Sequence, residues 1–291
     1  MLLKQALTSA ITHLTADDIP SPRLSAELLL MFTLNVDRAY LFAHPERELT
    51  LQEQTRYESA LSERRRGVPA QYITGHQEFW GMDLIVSPAV LIPRPETEHV
   101  IETVLDLRTS DLKLQTSASG FASDVRILDV GTGSGCIALA LAKELPGAEI
   151  HASDLSAAAL EIAQANAARH QFEKRIAFHQ ADLLDGLNLA SLDFIVSNPP
   201  YVGESEEDQV QLDVRRFEPR NAVFAGHTGV EIIARLLPQA QLALRPGGWL
   251  ILEISGSIAD PVKRLLDAWE EIRVIPDLQG IPRVARARRP R

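Results

Sequence analysis

Apolar positions in the first third of the chain recur at helical spacing. Leu24, Leu28, Met31 and Phe32 fall three and four residues apart, which places them on one face of a helix. Pro22 stands near the start of that segment, where a missing amide proton is tolerated. A further helix is predicted from Leu51 to Arg66, closed by Gly67 and Pro69. Residues 1 to 75 therefore read as several short helices without strands, a small bundle.

Beyond Gly75 the period changes. Glu78 to Val86 carries aromatic and β-branched residues around Gly81, a pattern that predicts a hairpin. Pro88, Pro93 and Pro95 then stiffen the chain before a new helix begins near Glu96. These changes divide the chain into a helical domain (1–75), a hairpin and linker (76–95) and a larger domain (96–291). The polar stretch from Thr109 to Ser123 predicts a surface loop. After it strands and helices alternate. Strands are predicted over Val125–Val130, Glu149–Ser153, Ile176–Gln180, Leu192–Ser197 and Trp249–Ile254. Helices are predicted over Cys136–Glu144, Ala157–Arg169 and Gly229–Leu244, and around Pro261–Trp269. This order predicts an α/β class with a mainly parallel sheet covered by helices on both faces.

Composition narrows the partners. The 291 residues are 45% hydrophobic, enough for a sizeable core, and 29 basic against 39 acidic residues give a net charge of -10. Binding nucleic acid over a broad surface depends on neutralising phosphates with a basic field, so a protein or small-molecule partner is expected, without direct sequence-specific nucleic-acid binding. The run Arg64-Arg65-Arg66 reads as a solvated helix end. Cys136 is the single cysteine, which excludes an intramolecular disulfide and a cysteine-based zinc site. Its place in an apolar helix predicts packing. No signal-peptide core or membrane-length apolar run is present, so a cytosolic (cytoplasmic) protein without a membrane partner is expected.

The chemistry concentrates at predicted strand ends. Asp129-Val130-Gly131-Thr132-Gly133-Ser134-Gly135 joins the first strand of the larger domain to its helix. Glycines there let the backbone turn tightly and approach a ligand, and helix-start amides favour polar or anionic groups. Asp154 ends the second strand, at a separation suited to accepting ribose hydroxyl protons. Asp182 follows the third strand, where it can accept from an adenine amine, with Leu183 as apolar contact. Asn198 ends the fourth, and open α/β sheets bind ligands at these ends. A dinucleotide oxidoreductase would share these features, and the next motif separates the two readings.

Ser197-Asn198-Pro199-Pro200-Tyr201 is the most informative stretch. Its prolines lack N–H donors, and the residue before a proline is held extended. A planar –NH2 group offers two in-plane protons. The Asn198 side-chain oxygen can accept one and the Pro199 carbonyl the other, with the Tyr201 ring against the flat face. An amide nitrogen is a poor nucleophile, because its lone pair is delocalised. Two acceptors on its protons raise its electron density and aim it at a sulfonium methyl, so alignment and preorganised electrostatics carry the reaction. No metal is needed.

On these residues the chain resembles the release factor glutamine methyltransferase family, also called HemK or PrmC. The likeness covers nearly the whole chain. It includes Ser25 to Leu30, the hairpin residues Glu78 to Gly81, the linker Leu91-Ile92-Pro93-Arg94-Pro95-Glu96-Thr97-Glu98, Asp129 to Gly135, Asn198 to Tyr201, and Arg216-Phe217-Glu218-Pro219. The linker and the Asn-Pro-Pro-Tyr motif make a specific pair, whereas the glycine turn is common to many methyltransferases. The resemblance implies a Rossmann-like seven-stranded methyltransferase domain whose last strand runs antiparallel. It implies S-adenosylmethionine as cofactor, with S-adenosylhomocysteine as product. Gly131, Thr132, Gly133, Ser134, Gly135, Asp154, Asp182, Leu183 and Asn198 would contact it. Asn198, Pro199, Pro200 and Tyr201 would receive the glutamine of a release factor's Gly-Gly-Gln loop, Leu91 or Ile92 would border the pocket, and the N-terminal helices would dock peptide chain release factors. Ile254-Ser255-Gly256 departs from the family's Ile-Gly pair, and the five arginines from Arg283 to Arg291 read as a last strand with a solvated tail.

Three other functions compete. A glutamine methyltransferase of a ribosomal protein would share the chemistry and differ in its N-terminal helices. An exocyclic-amine methyltransferase of nucleic acid would flip its base and carry a basic target-reading region. A non-catalytic cofactor-binding scaffold would have no need of the reactive motif.

Overall fold

Why the chain folds as two units follows from where its hydrophobic periods change. The computed structural model describes residues 1–114 and 125–291, with 110–114 described by backbone alone. One compact unit holds Met1–His76 together with Gln211–Phe217, and the other holds Gln77–Val210 and Glu218–Arg291. The return of Gln211–Phe217 to the first unit has no counterpart in the sequence pattern.

The first unit is built from α1 (Leu3–Ala16), α2 (Pro22–Leu34), α3 (Arg38–Ala43), α4 (Leu51–Arg65) and α5 (Ala70–Thr74). A capping box starts α4, in which Thr50 Oγ1 accepts from Glu53 N and Glu53 Oε2 accepts from Thr50 N. Leu3, Leu14, Leu29, Leu30 and Tyr57 fill the core, and the Tyr57 hydroxyl donates to the Ala26 carbonyl at 3.0 Å. Two expectations are corrected here. Leu24, Leu28, Met31 and Phe32 do share a face of α2, but Leu24 and Phe32 are exposed while Ala26, Leu29, Leu30 and Thr33 are buried. A second apolar stripe, offset by one position, packs better because its small residues admit close helix approach. Arg64 is 4% exposed rather than solvated. Its guanidinium donates to Ser25 Oγ and to the carbonyls of Gly67 and Val68, with Asp213 at 3.9 Å. Asp213 lies on α9 (Leu212–Phe217), which belongs to this unit. Only Arg65 and Arg66 form surface pairs, with Asp17 and Glu63.

The hairpin of β1 (His76–Phe79) and β2 (Met82–Ile85) lies in the second unit from Gln77 onward. Trp80 and Gly81 both take positive φ, +52° and +67°, as a two-residue hairpin turn requires. A 3₁₀ turn over Pro95–Thr97 leads into α6 (Glu98–Leu114). The loop expected from Thr109 is therefore helix as far as Leu114, and the remainder of that expectation lies outside the described residues. Then follow β3 (Arg126–Val130), α7 (Cys136–Glu144), β4 (Glu149–Asp154), α8 (Ala157–Arg169), β5 (Ile176–Gln180) and β6 (Leu192–Ser197). After α10 (Arg220–Val223) come α11 (Glu231–Ala243), β7 (Leu244–Glu253), α12 (Ala259–Leu265), β8 (Glu270–Pro276) and β9 (Pro282–Arg288). The sheet order is β5-β4-β3-β6-β7-β9-β8, with parallel ladders from β5 through β7 and β9 antiparallel to both its neighbours. The seven-stranded α/β expectation holds, including its reversed last strand. Strand β7 begins five residues before the predicted Trp249. The last strand expected among the C-terminal arginines is β9, which carries Arg283, Arg286 and Arg288, the latter two over the Trp249 ring.

One apolar cluster packs α6 and α7 on one face of the sheet, with Ile127, Leu139 and Ile251 fully buried. A second packs α11 and α12 on the other, with Leu128, Leu236 and Leu252. Asn166 of α8, itself buried, joins three segments. Its side chain accepts from Ile85 N and donates to the carbonyls of Ile85 and Ser134, tying the hairpin to the glycine turn.

Candidate active site

Strand register sets the level of the site. Ser153, Val130, Ser197 and Leu252 stand in one row across β4, β3, β6 and β7. The next residues along each strand, Asp154, Gly131, Asn198 and Glu253, therefore share the carboxyl edge of the parallel strands, where a doubly wound sheet opens a crevice. A cavity of about 260 Å³ lies there. Gly131, Thr132, Gly133, Ser134, Asp154, Asp182, Leu183, Asn198 and Pro200 all line it.

The glycine turn is built for close approach. Gly131 N and Thr132 N donate to the Ser153 carbonyl at 2.8 and 2.9 Å, folding the turn against β4. Gly131 and Gly133 have φ of +71° and +55°, and a Cβ on either would meet nothing within 4 Å, so the space beside them is open. Gly133 N donates to Asp154 Oδ2 and Ser156 N to Asp154 Oδ1, both at 2.9 Å. The Asp154 carboxylate is thereby fixed in the crevice wall, and each oxygen keeps a further lone pair for a ribose hydroxyl. Beneath it the Asp129 side chain is fully buried. Its Oδ2 accepts from Thr132 Oγ1 at 2.6 Å and Ala138 N at 3.3 Å, and burial pushes its pKa up to about 7. Gly135 does not line the cavity. A Cβ there would stand 2.6 Å from Leu139 Cδ1 and 3.2 Å from Ala163 Cβ, so this glycine allows α7 and α8 to pack closely.

On the β5 side, the turn at Leu183 has φ of +59° and is held by Ser153 Oγ, which donates to the Leu183 carbonyl. Asp182 meets the Arg235 guanidinium at 2.6 Å, which engages one carboxylate oxygen. Leu155 and Phe224 add apolar wall. The residues present fit a nucleoside-bearing cofactor: glycines that leave space, a fixed carboxylate at ribose position, and an apolar slot with an acid at its rim.

Around Asn198 the outcome is mixed. Asn198 lines the cavity, and its Nδ2 donates to Thr97 Oγ1 at 3.1 Å, while its Oδ1 has no hydrogen-bond partner among the described residues. Pro199 is buried between cavity-lining Asn198 and Pro200 and is itself not a lining residue. Tyr201 departs from expectation. Its ring is not in the cavity wall, and its hydroxyl donates to Glu253 Oε1 at 3.2 Å. Burial against Glu253 raises the Tyr201 pKa. Glu253 is 2% exposed, and burial pushes its pKa up to about 7. Cys136 lines the cavity as a protonated thiol, its pKa pushed up to about 12 by burial.

The linker is pinned to this wall. Leu91 and Pro93 line the cavity, whereas Ile92 is buried and its N–H donates to Glu218 Oε2 at 3.2 Å. Arg94 forms an ion pair with Glu218 Oε1. Two motifs far apart in sequence therefore meet through one carboxylate. Sequence reasoning missed Thr97, Glu253, Leu155, Asn166 and Arg235. Glu253 was within reach of it, because a lone acid closing an apolar strand beside Asn198 marks a buried carboxyl.

Comparison with known proteins decides the family. A release factor glutamine methyltransferase of Koribacter versatilis is 57% identical over all 291 residues and 99% of its own length. The chain belongs to the release factor glutamine methyltransferase family. Relatives of the same name from Moorella thermoacetica and Coxiella burnetii are 42% and 39% identical, covering 96% and 99% of both chains. Residues 5–75 match the family model described as PrmC N-terminal domain, and residues 108–215 match that described as methyltransferase small domain. Two solved structures agree with the family assignment at the level of fold alone. The hMettl16 catalytic domain superposes with a TM-score of 0.55 at 17% identity, covering 81% of both chains. The T. thermophilus 16S rRNA N2 G1207 methyltransferase superposes with 0.52 at 18%, covering 74% of this chain and 49% of that one.

Proposed function

We propose that this chain transfers a methyl group from S-adenosylmethionine to the side-chain amide nitrogen of the glutamine in the Gly-Gly-Gln motif of peptide chain release factors. The names of its full-length relatives support this reading. The observation that carries it is Asn198, its side-chain oxygen unpartnered, in the lining of a cavity shared with the glycine turn and Asp154. When bound, S-adenosylmethionine supplies a methyl carbon on a sulfonium, from which a thioether leaves. Gly131 to Ser134, Asp154, Asp182 and Leu183 hold it. Asn198 Oδ1 accepts one proton of the glutamine –NH2, and the Pro199 carbonyl, between two lining residues, accepts the other. Held in this way, the nitrogen presents its face to the methyl group, and the proton made acidic by methylation leaves afterwards. Gly135 and Tyr201 act from behind the wall, by helix packing and by bracing Glu253. The N-terminal helical domain docks the release factor, and the reaction takes place in the cytoplasm.

The test incubates purified protein and labelled S-adenosylmethionine with release factor, ribosomal protein and nucleic acid, and locates the methyl by mass spectrometry. Label on the release-factor glutamine is expected. Label on a nucleobase or a ribosomal protein, with none on that glutamine, overturns the substrate. In the same assay Asn198→Ala loses about 100-fold or more in turnover while keeping its melting temperature; an unchanged rate removes its role.

A further inference from the structure

An asparagine that serves as an acceptor must be kept from turning round. A half-rotation of the Asn198 carboxamide exchanges its oxygen for an –NH2 group of nearly the same shape. The site would then meet the substrate's two N–H donors with two more donors. Something must select the productive orientation. Thr97 Oγ1, 3.1 Å from Asn198 Nδ2, does not select it alone, because a hydroxyl both donates and accepts.

The selection comes from one group further back. We propose that Thr97 and Glu253 are positioning residues that hold the Asn198 oxygen toward the substrate nitrogen, a role that rests on reading Asn198 as the acceptor. Glu253 follows Leu252 on β7, beside Asn198 in the strand register, and is buried. The Tyr201 hydroxyl donates to its Oε1, Oε2 is buried with no hydrogen-bond partner, and the Thr97 hydroxyl is near enough to hold the carboxyl's pKa down. An ionised carboxylate only accepts. It draws the single Thr97 proton, leaving the Thr97 lone pairs to accept from Asn198 Nδ2, and the Asn198 oxygen then faces the cavity. A protonated Glu253 has a proton of its own to give. Thr97 can take that proton and donate to the Asn198 oxygen, and the carboxamide turns round. The linker threonine, whose 3₁₀ turn ends within a family signature, thereby acquires a task.

The groups facing Glu253 come from every side of it. Glu96 and Thr97 stand on the 3₁₀ turn, Tyr201 after β6, Arg283 on β9 and Cys136 at the start of α7. Burial and Glu96 raise its pKa, while Thr97, Tyr201 and Arg283 hold it down, leaving it at about 7. Tyr201 and Cys136 both titrate well above neutrality, so within this cluster Glu253 is the group that changes charge near pH 7. Asp129 titrates in the same range, but its bonds run to Thr132 and Ala138.

The test measures kcat and KM for release factor across pH with the full-length chain, alongside melting temperature and S-adenosylmethionine affinity. Wild-type kcat should rise as pH passes through about 7. Thr97→Val, which keeps the shape and removes the hydroxyl, should lower kcat by about 100-fold with cofactor affinity unchanged. Thr97→Ser should recover most of that loss. Glu253→Gln should remove the rise near pH 7, which distinguishes Glu253 from Asp129 and serves as a second readout should Thr97→Val fold poorly. Thr97→Val turning over like wild type, Thr97→Ser no better than Thr97→Val, or a rise that persists in Glu253→Gln overturns the inference alone. A wild-type enzyme that leaves the glutamine unlabelled overturns the substrate reading and this inference with it.

Discussion

Removing the Glu218 carboxylate tests how the cavity wall is held. Its side chain is 1% exposed and accepts from Ile92 N and from Arg94, which have different prospects once it is gone. Arg94 is a third exposed and can turn to water. The Ile92 N–H cannot, because Ile92 is buried. Leaving that donor unpaired costs about 1–3 kcal/mol. The lost charge-assisted bond adds about 1 kcal/mol after discounting for the exposure of Arg94. Glu218→Ala should therefore cost about 2–4 kcal/mol, a fall in Tm of about 5–15 °C for a unit of this size. Glu218→Gln keeps an acceptor for Ile92 N–H and should cost roughly half as much. Because Leu91 and Pro93 flank Ile92 in the cavity wall, the Ala variant should also bind S-adenosylmethionine more weakly. Thermal melts and calorimetric titration of all three proteins check this. Equal losses for Ala and Gln would refute the reasoning, since the buried N–H would then carry none of the effect.

Further perturbations separate the parts of the molecule. Gly135→Ala places a Cβ 2.6 Å from Leu139 Cδ1 at a φ of +84° and should cost about 2–4 kcal/mol, read as a fall in the urea midpoint. Arg64→Leu, which strands Ser25 and two carbonyls in the helical unit, should destabilise that unit by about 2–4 kcal/mol while S-adenosylmethionine affinity stays unchanged. Asp129 is raised from 3.8 unfolded to about 7 folded, so its folded form holds a proton that the unfolded chain has released, and stability falls as pH rises across that window. Asp129→Asn removes this dependence. Its Tm relative to wild type should climb between about pH 4 and about pH 7 and then level off, and a pH-independent difference would contradict the raised Asp129 pKa.

Regular elements with strong periods were legible in the residues. Helices Cys136–Glu144 and Ala157–Arg169 and strands Ile176–Gln180 and Leu192–Ser197 have the limits that their apolar patterns mark. Patterns that admit two readings misled. Helix α2 carries two adjacent apolar stripes, and only packing chooses between Leu24–Phe32 and Ala26–Leu30. Charge alone says nothing of a buried acceptor, so Arg64 read as solvent-facing until Ser25 and the Gly67 and Val68 carbonyls came to surround it. At the site, the residues touching the cavity were found through strand-end motifs. Thr97, which also lines the cavity, and Glu253 and Asn166, one bond behind it, come together only through the register of distant strands and helices.

The return of Gln211–Phe217 to the helical unit bears on how this molecule can be cut. Phe217 lies where a Cβ on Gly67 would touch its ring at 3.3 Å, and Asp213 faces Arg64. A fragment ending at His76 would omit both, leaving Gly67 bare and a buried guanidinium without its counter-charge. Chimaeras that exchange the helical portion between relatives, for instance to transplant a preference for one release factor, must therefore carry the Leu212–Phe217 helix along with residues 1–76. A single crossover near the hairpin would splice mismatched halves of one folding unit.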